Sequence, residues 1–214
     1  MIDAGLGMMG DVDDLHERWR SVVGGGADEV GRDLLRRWSE PHREYHTTGH
    51  LRAVLDAVDI LEHHATDPDA VRLAAWFHDA VYAGRPGEDE AASARLAAET
   101  LPGAGVSDER VREVVRLVEL TTTHDTDRGD ANGAVLCDAD LAILGGEPED
   151  YAAYAAAVRA EYPVTDHDYR RGRSAVLRRL LALDPLYCTP TGASRWAAAA
   201  HRNLKAELDL LSVS

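Results

Sequence analysis

The sequence of 214 residues has only two cysteines, one phenylalanine and no apolar run of membrane-spanning length. Cys137 and Cys188 lie far apart and form no CxxC pair, which argues against a disulfide framework and favours a reducing compartment. The first residues lack a basic stretch followed by an apolar core, so they do not resemble a secretion signal. We therefore expect a cytoplasmic protein with no membrane partner.

Positive charge is also scarce. The 23 Lys and Arg residues against 38 Asp and Glu residues leave a formal net charge of −15. Such a surface repels polyanions, so we expect no nucleic-acid polymer as a partner. A small phosphorylated substrate would have to meet positive charge concentrated at one place, and a bound divalent metal ion can supply it.

The shortage of aromatic residues and the many alanines favour helices over sheets. Apolar residues recur at helical spacing in nearly every segment, and no internal repeat is present. The length suits one domain with a sizeable core. We predict an all-α, single-domain helical bundle over residues 11–214, preceded by a flexible N-terminal tail at residues 1–10. One such helical stripe comprises Leu51, Val54, Leu55, Val58 and Leu61.

Capping residues precede several of the predicted helices. Asp67 is followed by Pro68, and Ser107 and Thr165 also stand directly before helical patterns. The apolar run Ala134–Leu144 predicts a buried helix closed by Gly145-Gly146, although its length alone also allows a strand.

Histidines cluster in two places near apolar helices. His42, His46 and His50 fall within nine positions, and His78 is directly followed by Asp79. Imidazole nitrogen and carboxylate oxygen together hold zinc, iron or manganese, with ligands contributed by neighbouring helices. This pattern indicates a metal site assembled from several helices.

Each part of that pattern also has a simpler explanation. His46 and His50, four positions apart, can share one face, yet they can equally be surface residues or buried polar groups bonded to backbone carbonyls. The His78-Asp79 pair follows the apolar run LAAWF, where burying an unpaired carboxylate is costly and a metal would remove that cost. A solvated pair at a helix C-terminus is the alternative.

Two further carboxylates interrupt the apolar run described above. Asp138 and Asp140 cannot both share the face of the apolar residues that follow them, so their roles must differ. Capping is the simpler role, and Asp138 is the better candidate for it.

The ordered set His50, His78-Asp79 and Asp140 resembles the H…HD…D signature of the HD superfamily of metal-dependent phosphohydrolases. The signature implies an HD-type bundle with a metal-binding core at about residues 40–145. The string YHTTGH also resembles the YHxxxH element of cyclic nucleotide phosphodiesterases, in which the second histidine binds metal and the first protonates the leaving oxygen. That match implies His46 as the general acid.

Flanking strings extend the resemblance over the whole chain, to a bacterial group of predicted HD-superfamily phosphohydrolases with no firmly assigned substrate. Within that signature the last aspartate usually stands in an Ala-Asp-Leu or Ala-Asp-Arg context, which selects Asp140 over Asp138. The strings are FHDAVY, EDEAASA, CDADLAILG, VRAEYP and RNLKAEL.

The resemblance implies a hydrolase that cleaves a phosphate ester of a nucleotide or small phosphorylated metabolite with metal-activated water. Asp79 would bridge the metal and the nucleophile. The cofactor would be one or two divalent ions of Mn, Fe, Zn, Co, Ni or Mg. The alternatives are an HD-type di-iron oxygenase and a non-catalytic binding module that keeps its ligands for stability. The oligomeric state is not predicted, and a homo-oligomer remains an option.

Other residues are weaker candidates for substrate binding. His124 could approach the metal or phosphate, or lie in an exposed loop. Glu90 could orient water or cap its helix, and Ala83 stands where one common variant of the family has a glutamate. Arginines match phosphate oxygens bidentately, but most form ordinary ion pairs, with Glu161 and Asp168 available as partners. The arginines considered are Arg159, Arg171 and Arg173.

Overall fold

The computed structural model describes residues 5–212, with side chains described from residue 13 onward. Within that range the chain is helical and contains no strand, which confirms the predicted all-α class. The helices are α1 (Gly5–Val23), α2 (Asp28–Trp38), α3 (Thr48–Leu61), α4 (Pro68–Phe77), α5 (Glu88–Thr100), α6 (Asp108–Leu120), α7 (Ala131–Asp140), α8 (Pro148–Glu161), α9 (Asp166–Ala182) and α10 (Pro190–Ser212). Short 3₁₀ turns cover Gly25–Ala27, Glu62–His64, Pro102–Ala104 and Leu141–Gly145.

Two sequence predictions concern the N-terminal tail and the apolar run around Asp138. The predicted tail at residues 1–10 lies outside the described residues over positions 1–4, and α1 begins at Gly5. The apolar run around Asp138 is helical rather than extended. It forms α7, which continues directly into the 3₁₀ turn that ends at Gly145.

The predicted caps are confirmed at three helix starts. The side chain of Asp67 accepts a hydrogen bond from the Ala70 N–H, with Pro68 as the first residue of α4. Ser107 and Thr165 cap α6 and α9 in the same way. Each cap satisfies one of the N–H groups that a helix start leaves without an intrahelical partner.

Helix α4 lies at the centre of the first hydrophobic cluster. Every residue from Ala70 to Phe77 except Arg72 is buried, as expected for a helix surrounded by others. It packs against α3, α6 and α7, and the rings of Trp19 and Trp76 meet edge to face with centroids 5.4 Å apart. The end of α4 therefore lies in the interior of the molecule.

A second hydrophobic cluster forms among the helices after α7, around Leu177, Tyr187 and Leu204. Trp196 packs against both clusters and joins them. A Cβ atom on Gly145 would lie 2.4 Å from the Trp196 Cβ, so only glycine allows α10 to approach the turn after α7 this closely.

Among the residues that the structure describes, no helix combines the length and the apolar character needed to cross a bilayer.

Candidate metal centre

Three side chains from three helices converge at the interior end of α4. His50 lies in the first turn of α3, His78 is the C-cap of α4, and Asp140 is the last residue of α7. The His50 Nε2 atom lies 3.1 Å from Asp140 Oδ1, and the His78 Nε2 atom lies 3.5 Å from the same oxygen. One ligand atom from each residue falls within 4.8 Å of the others, and both histidines are buried. The described residues therefore include a group that could hold a metal ion.

Asp79 lies at the edge of this group. Its Oδ2 atom is 3.1 Å from His78 Nε2 and 3.8 Å from His50 Nε2. Its side chain is 18% exposed, whereas that of His78 is 1% exposed. The carboxylate is therefore close enough to the imidazoles to share an ion with them and is the more accessible from solvent.

The tautomer of His78 is fixed by a backbone carbonyl. His78 Nδ1 lies 2.8 Å from the Ala75 oxygen, and because a carbonyl only accepts, Nδ1 carries the proton. Nε2 of His78 then faces His50 Nε2, 3.2 Å away. Two facing lone pairs would repel each other, so this arrangement requires a proton or a metal cation between the rings.

The electrostatics of the group also favour a cation. Burial lowers the pKa of His78, but the charges of Asp79 and Asp140 outweigh it and hold that pKa well above its ordinary value. For His50 burial dominates, and its pKa is lowered. Burial opposes ionisation of both aspartates, yet the positive His78 keeps their carboxyl pKa values low. Two ionised carboxylates thus face the space between the imidazoles.

His46 lies next to the group, with its ring edge to face against that of His50 at a centroid distance of 5.6 Å. Its Nε2 atom is 3.9 Å from Asp79 Oδ2, and its ring stacks on Tyr82 with centroids 4.3 Å apart. Its Nδ1 atom donates to Glu161 Oε2 at 2.6 Å. The ring is therefore held with Nε2 toward Asp79.

Glu161, the last residue of α8, lies beside the candidate site, although the sequence analysis considered it only as an ion-pair partner for an arginine. Its Oε1 atom accepts hydrogen bonds from the backbone N–H groups of Glu44, Tyr45 and His46, at 2.8, 2.8 and 2.9 Å. Tyr82 donates its hydroxyl to Oε2 at 2.9 Å. Its carboxylate is fully buried. The one available signal was its place in the string VRAEYP, which belongs to the resemblance described above.

The hydrogen bonds to Glu161 make the stability of the fold dependent on pH. Burial raises its pKa, but the hydrogen bond and charge of His46 and the backbone donors outweigh burial and lower the pKa to about 2. Because the folded-state pKa lies below the unfolded value, this stabilisation is present above about pH 4.5 and is lost as pH falls toward 2.

The variant Glu161→Gln is therefore expected to lower the free energy of unfolding by about 2 kcal/mol at pH 7 and by much less at pH 3. Urea titrations at both pH values measure the difference. Glu149→Gln, at an exposed position on the same helix, is the matched control. An equal loss at both pH values would show that the carboxylate charge contributes nothing.

Asp138 and Asp140 have different environments, as the sequence predicted. Asp138 accepts hydrogen bonds from the backbone N–H groups of Cys188 and Thr189 and from the Thr189 hydroxyl, at 2.7 to 2.8 Å. It therefore anchors the start of α10 rather than capping α7, whose N-cap is Asp130. Asp140 alone of the two belongs to the ligand group.

Replacing Asp138 by asparagine is expected to affect stability, whereas the same replacement of Asp140 is expected to affect metal binding. Asp138→Asn places an amide against three donors and should lower the unfolding free energy by about 2 kcal/mol with little change in metal affinity. Asp140→Asn should weaken metal binding and leave the α10 anchor intact. Urea unfolding and Co²⁺ titration of both variants measure the contrast, and weaker Co²⁺ binding by Asp138→Asn alone would reverse the assignment.

His124 lies against the ligand group from the loop between α6 and α7. Its Nε2 atom donates to Asp140 Oδ2 at 2.8 Å, while its buried Nδ1 atom has no hydrogen-bond partner. Its backbone φ is 56°, in the left-handed region that few residues other than glycine adopt. The structure thus brings His124 to the carboxylate of Asp140.

The other candidates for substrate binding have internal partners. The Arg159 guanidinium donates to the Tyr162 and Val164 carbonyls and pairs with Asp166, not with Glu161. Arg173 is buried, pairs with Glu207 and donates to the Tyr154 hydroxyl. Arg171 is exposed and lies 3.7 Å from Asp168. Glu90 accepts from the Gly87 N–H at the start of α5, as a helix cap does.

A comparison of this chain with models of known protein families, with curated proteins and with solved structures finds no match.

Proposed function

We propose that this chain is a metal-dependent phosphohydrolase of the HD type, which cleaves the phosphate ester of a nucleotide or another small phosphorylated metabolite. The observation that carries the proposal is the convergence of His50, His78 and Asp140 from three separate helices on one buried point. The order of these residues along the chain, with His78 followed by Asp79, is that of the HD signature.

The residues at this point suit a divalent cation. Two imidazole nitrogens and two ionised carboxylates form a mixed donor set that zinc, iron and manganese accept. The facing Nε2 atoms of His50 and His78 need a proton or a metal cation between them. His50, His78, Asp79 and Asp140 would hold the ion. When bound, it would supply Lewis-acid polarisation of the phosphoryl group and activation of water.

The remaining chemistry belongs to side chains beside the ligands. In the proposed reaction a water oxygen forms a bond to phosphorus, and the bond from phosphorus to the leaving oxygen breaks. His46 donates the proton of Nε2 to that leaving oxygen, so the products are an alcohol and inorganic phosphate. Asp79, the more accessible carboxylate, lies where it can accept the proton of the attacking water.

Glu161 supports the role of His46 as the proton donor. Its carboxylate accepts a hydrogen bond from Nδ1 of the imidazole, which leaves Nε2 directed toward Asp79. The same carboxylate fixes the backbone around His46 through its N–H groups. The ring is therefore oriented before a substrate arrives.

Elemental analysis of the purified protein, followed by a phosphate-release screen, tests the proposal. The screen covers nucleotides and small phosphate esters with manganese, cobalt, nickel and magnesium. We expect at least one divalent metal per chain and release of phosphate from a subset of the panel. Absence of turnover with every metal would favour the non-catalytic module, while two irons per chain and consumption of oxygen would favour the oxygenase.

A further inference from the structure

A buried arginine ties together the two segments that carry the proposed proton donor and the metal-binding aspartate. Arg43 lies between α2 and α3, and its side chain is fully buried. Its Nη1 atom donates to the carbonyl oxygens of His46 and Asp79, at 3.0 and 2.8 Å. Its Nη2 atom donates to the Ala80 carbonyl at 3.3 Å. One guanidinium thus joins the stretch around His46 to a carbonyl that lies 36 positions after Arg43 in the chain.

The guanidinium is held in place from its other sides. Glu40 lies 3.4 Å from its Nε atom and 3.3 Å from Nη2. Its planar group lies over the rings of Trp38 and Tyr82, with 5.5 and 5.4 Å from Cζ to the centroids. Tyr82 is also the ring on which His46 stacks. Arg43 therefore contacts both the backbone of His46 and the Tyr82 ring that packs against the His46 imidazole.

The two bridged segments differ in how firmly the rest of the fold holds them. Asp79 and Ala80 follow directly on α4, the buried central helix. His46 lies in the non-helical stretch before α3, where its backbone N–H and ring are held by Glu161 and its carbonyl by Arg43. Arg43 bridges that stretch directly to Asp79 and Ala80 in the segment after α4.

We infer that Arg43 is a positioning residue that fixes the separation between His46 and Asp79, and this inference rests on the proposed function. A planar group with donors in a fixed fork can reach three carbonyls at once, whereas the single ammonium of lysine keeps the charge but not that geometry. Misplacement by about 1 Å is sufficient to impair proton transfer by about 100-fold. Arg43 itself contacts none of the proposed ligand atoms.

The test compares two substrates that differ in their need for a proton donor. An alkyl phosphate has a poor leaving oxygen, whereas p-nitrophenyl phosphate has a leaving oxygen that departs with little protonation. Arg43→Lys is expected to lower kcat by about 100-fold on the alkyl ester and by less than about threefold on the nitrophenyl ester. Its Co²⁺ affinity should stay within about threefold of the original chain, because Arg43 bonds to the backbone carbonyl of Asp79 and not to its carboxylate.

Three further measurements separate positioning from a general loss of structure. In a His46→Gln background, Arg43→Lys should produce no additional loss on the alkyl ester, because the group it positions is gone. The rate of amide hydrogen exchange at residues 44–46 should increase in Arg43→Lys, and this measurement does not depend on turnover. Arg72→Lys, which replaces the guanidinium that pairs with Asp59 and Glu62, is the matched control and should leave turnover of both esters unaffected.

Equal losses on the two esters, additive losses in the double variant or unchanged amide exchange would each overturn the inference. If Arg43→Lys does not fold, as judged by circular dichroism, Glu40→Gln is the second variant. It removes only the carboxylate beside the guanidinium. It should lower kcat by about fivefold on the alkyl ester and leave kcat on the nitrophenyl ester almost unchanged. Failure of the unaltered chain to hydrolyse either ester would instead reject the proposed function, and the exchange measurement would still report on Arg43.

Discussion

His78→Ala is expected to remove bound metal and phosphate-ester turnover together. The variant deletes one of the two buried imidazoles and leaves the carboxylates of Asp79 and Asp140 without the ring that lies 3.1 and 3.5 Å from them. Affinity for Co²⁺ should fall by at least about 100-fold, and turnover should fall to background. Elemental analysis and calorimetric titration measure the first effect, and phosphate release measures the second.

The matched control is His201→Ala, at an exposed position on α10. It should keep both the metal stoichiometry and the turnover of the unaltered chain. Circular dichroism of both variants shows whether the helices are intact, since a buried imidazole also fills space among Trp38 and His50. An unchanged metal content in a folded His78→Ala variant would reject the ligand assignment.

The second large effect concerns proton donation. His46→Gln should lower kcat on an alkyl phosphate by about 100-fold to 10,000-fold, because glutamine has no proton to transfer at neutral pH. Metal content should be unchanged, since His46 is not one of the proposed ligands and its ring is held by Glu161 and Tyr82. Steady-state kinetics and elemental analysis on the same preparation measure both quantities.

His42→Gln supplies the comparison for this variant. His42 lies four positions earlier, is exposed, and its ring nitrogen contacts the Tyr82 carbonyl rather than a ligand candidate. Its replacement should leave kcat within about threefold of the unaltered chain. Loss of metal from His46→Gln would make His46 a ligand instead of a proton donor, and normal kinetics would remove it from the mechanism.

Most of the architecture follows from local signals in the sequence. The caps at Asp67, Ser107 and Thr165 are confirmed because each depends on one side chain and an N–H group three residues away. The helical stripes likewise repeat within each segment. The separation of Asp138 from Asp140 could be predicted for the same reason, since residues two positions apart on a helix face different neighbours.

Contacts between distant segments could not be predicted in this way. Glu161 meets the backbone of His46 across 115 positions, and nothing near either residue specifies that meeting. As a glutamate followed by tyrosine and proline at the end of a helix, it has the composition of any solvated helix end. Arg43 is similar, because one arginine among many gives no local sign that its guanidinium is buried.

The arginines considered for phosphate binding also show that the partner of a side chain cannot be predicted from its residue type. Their chemistry suits phosphate, but it suits carboxylates and backbone carbonyls equally well. Arg173 meets Glu207 from α10, and Arg159 meets carbonyls at the end of its own helix. Which anion an arginine meets depends on packing that residue type alone does not specify.

The position of Glu161 also limits how far the chain could be shortened from its C-terminal end. A fragment ending near residue 145 would retain every proposed ligand, yet it would lack the carboxylate that orients His46 and the helices that bury Leu144. Such a shortened chain could still hold a cation while being unable to protonate a leaving alcohol. The smallest unit competent for the proposed reaction would therefore extend at least to the end of α8, well beyond the segment that carries the proposed ligands.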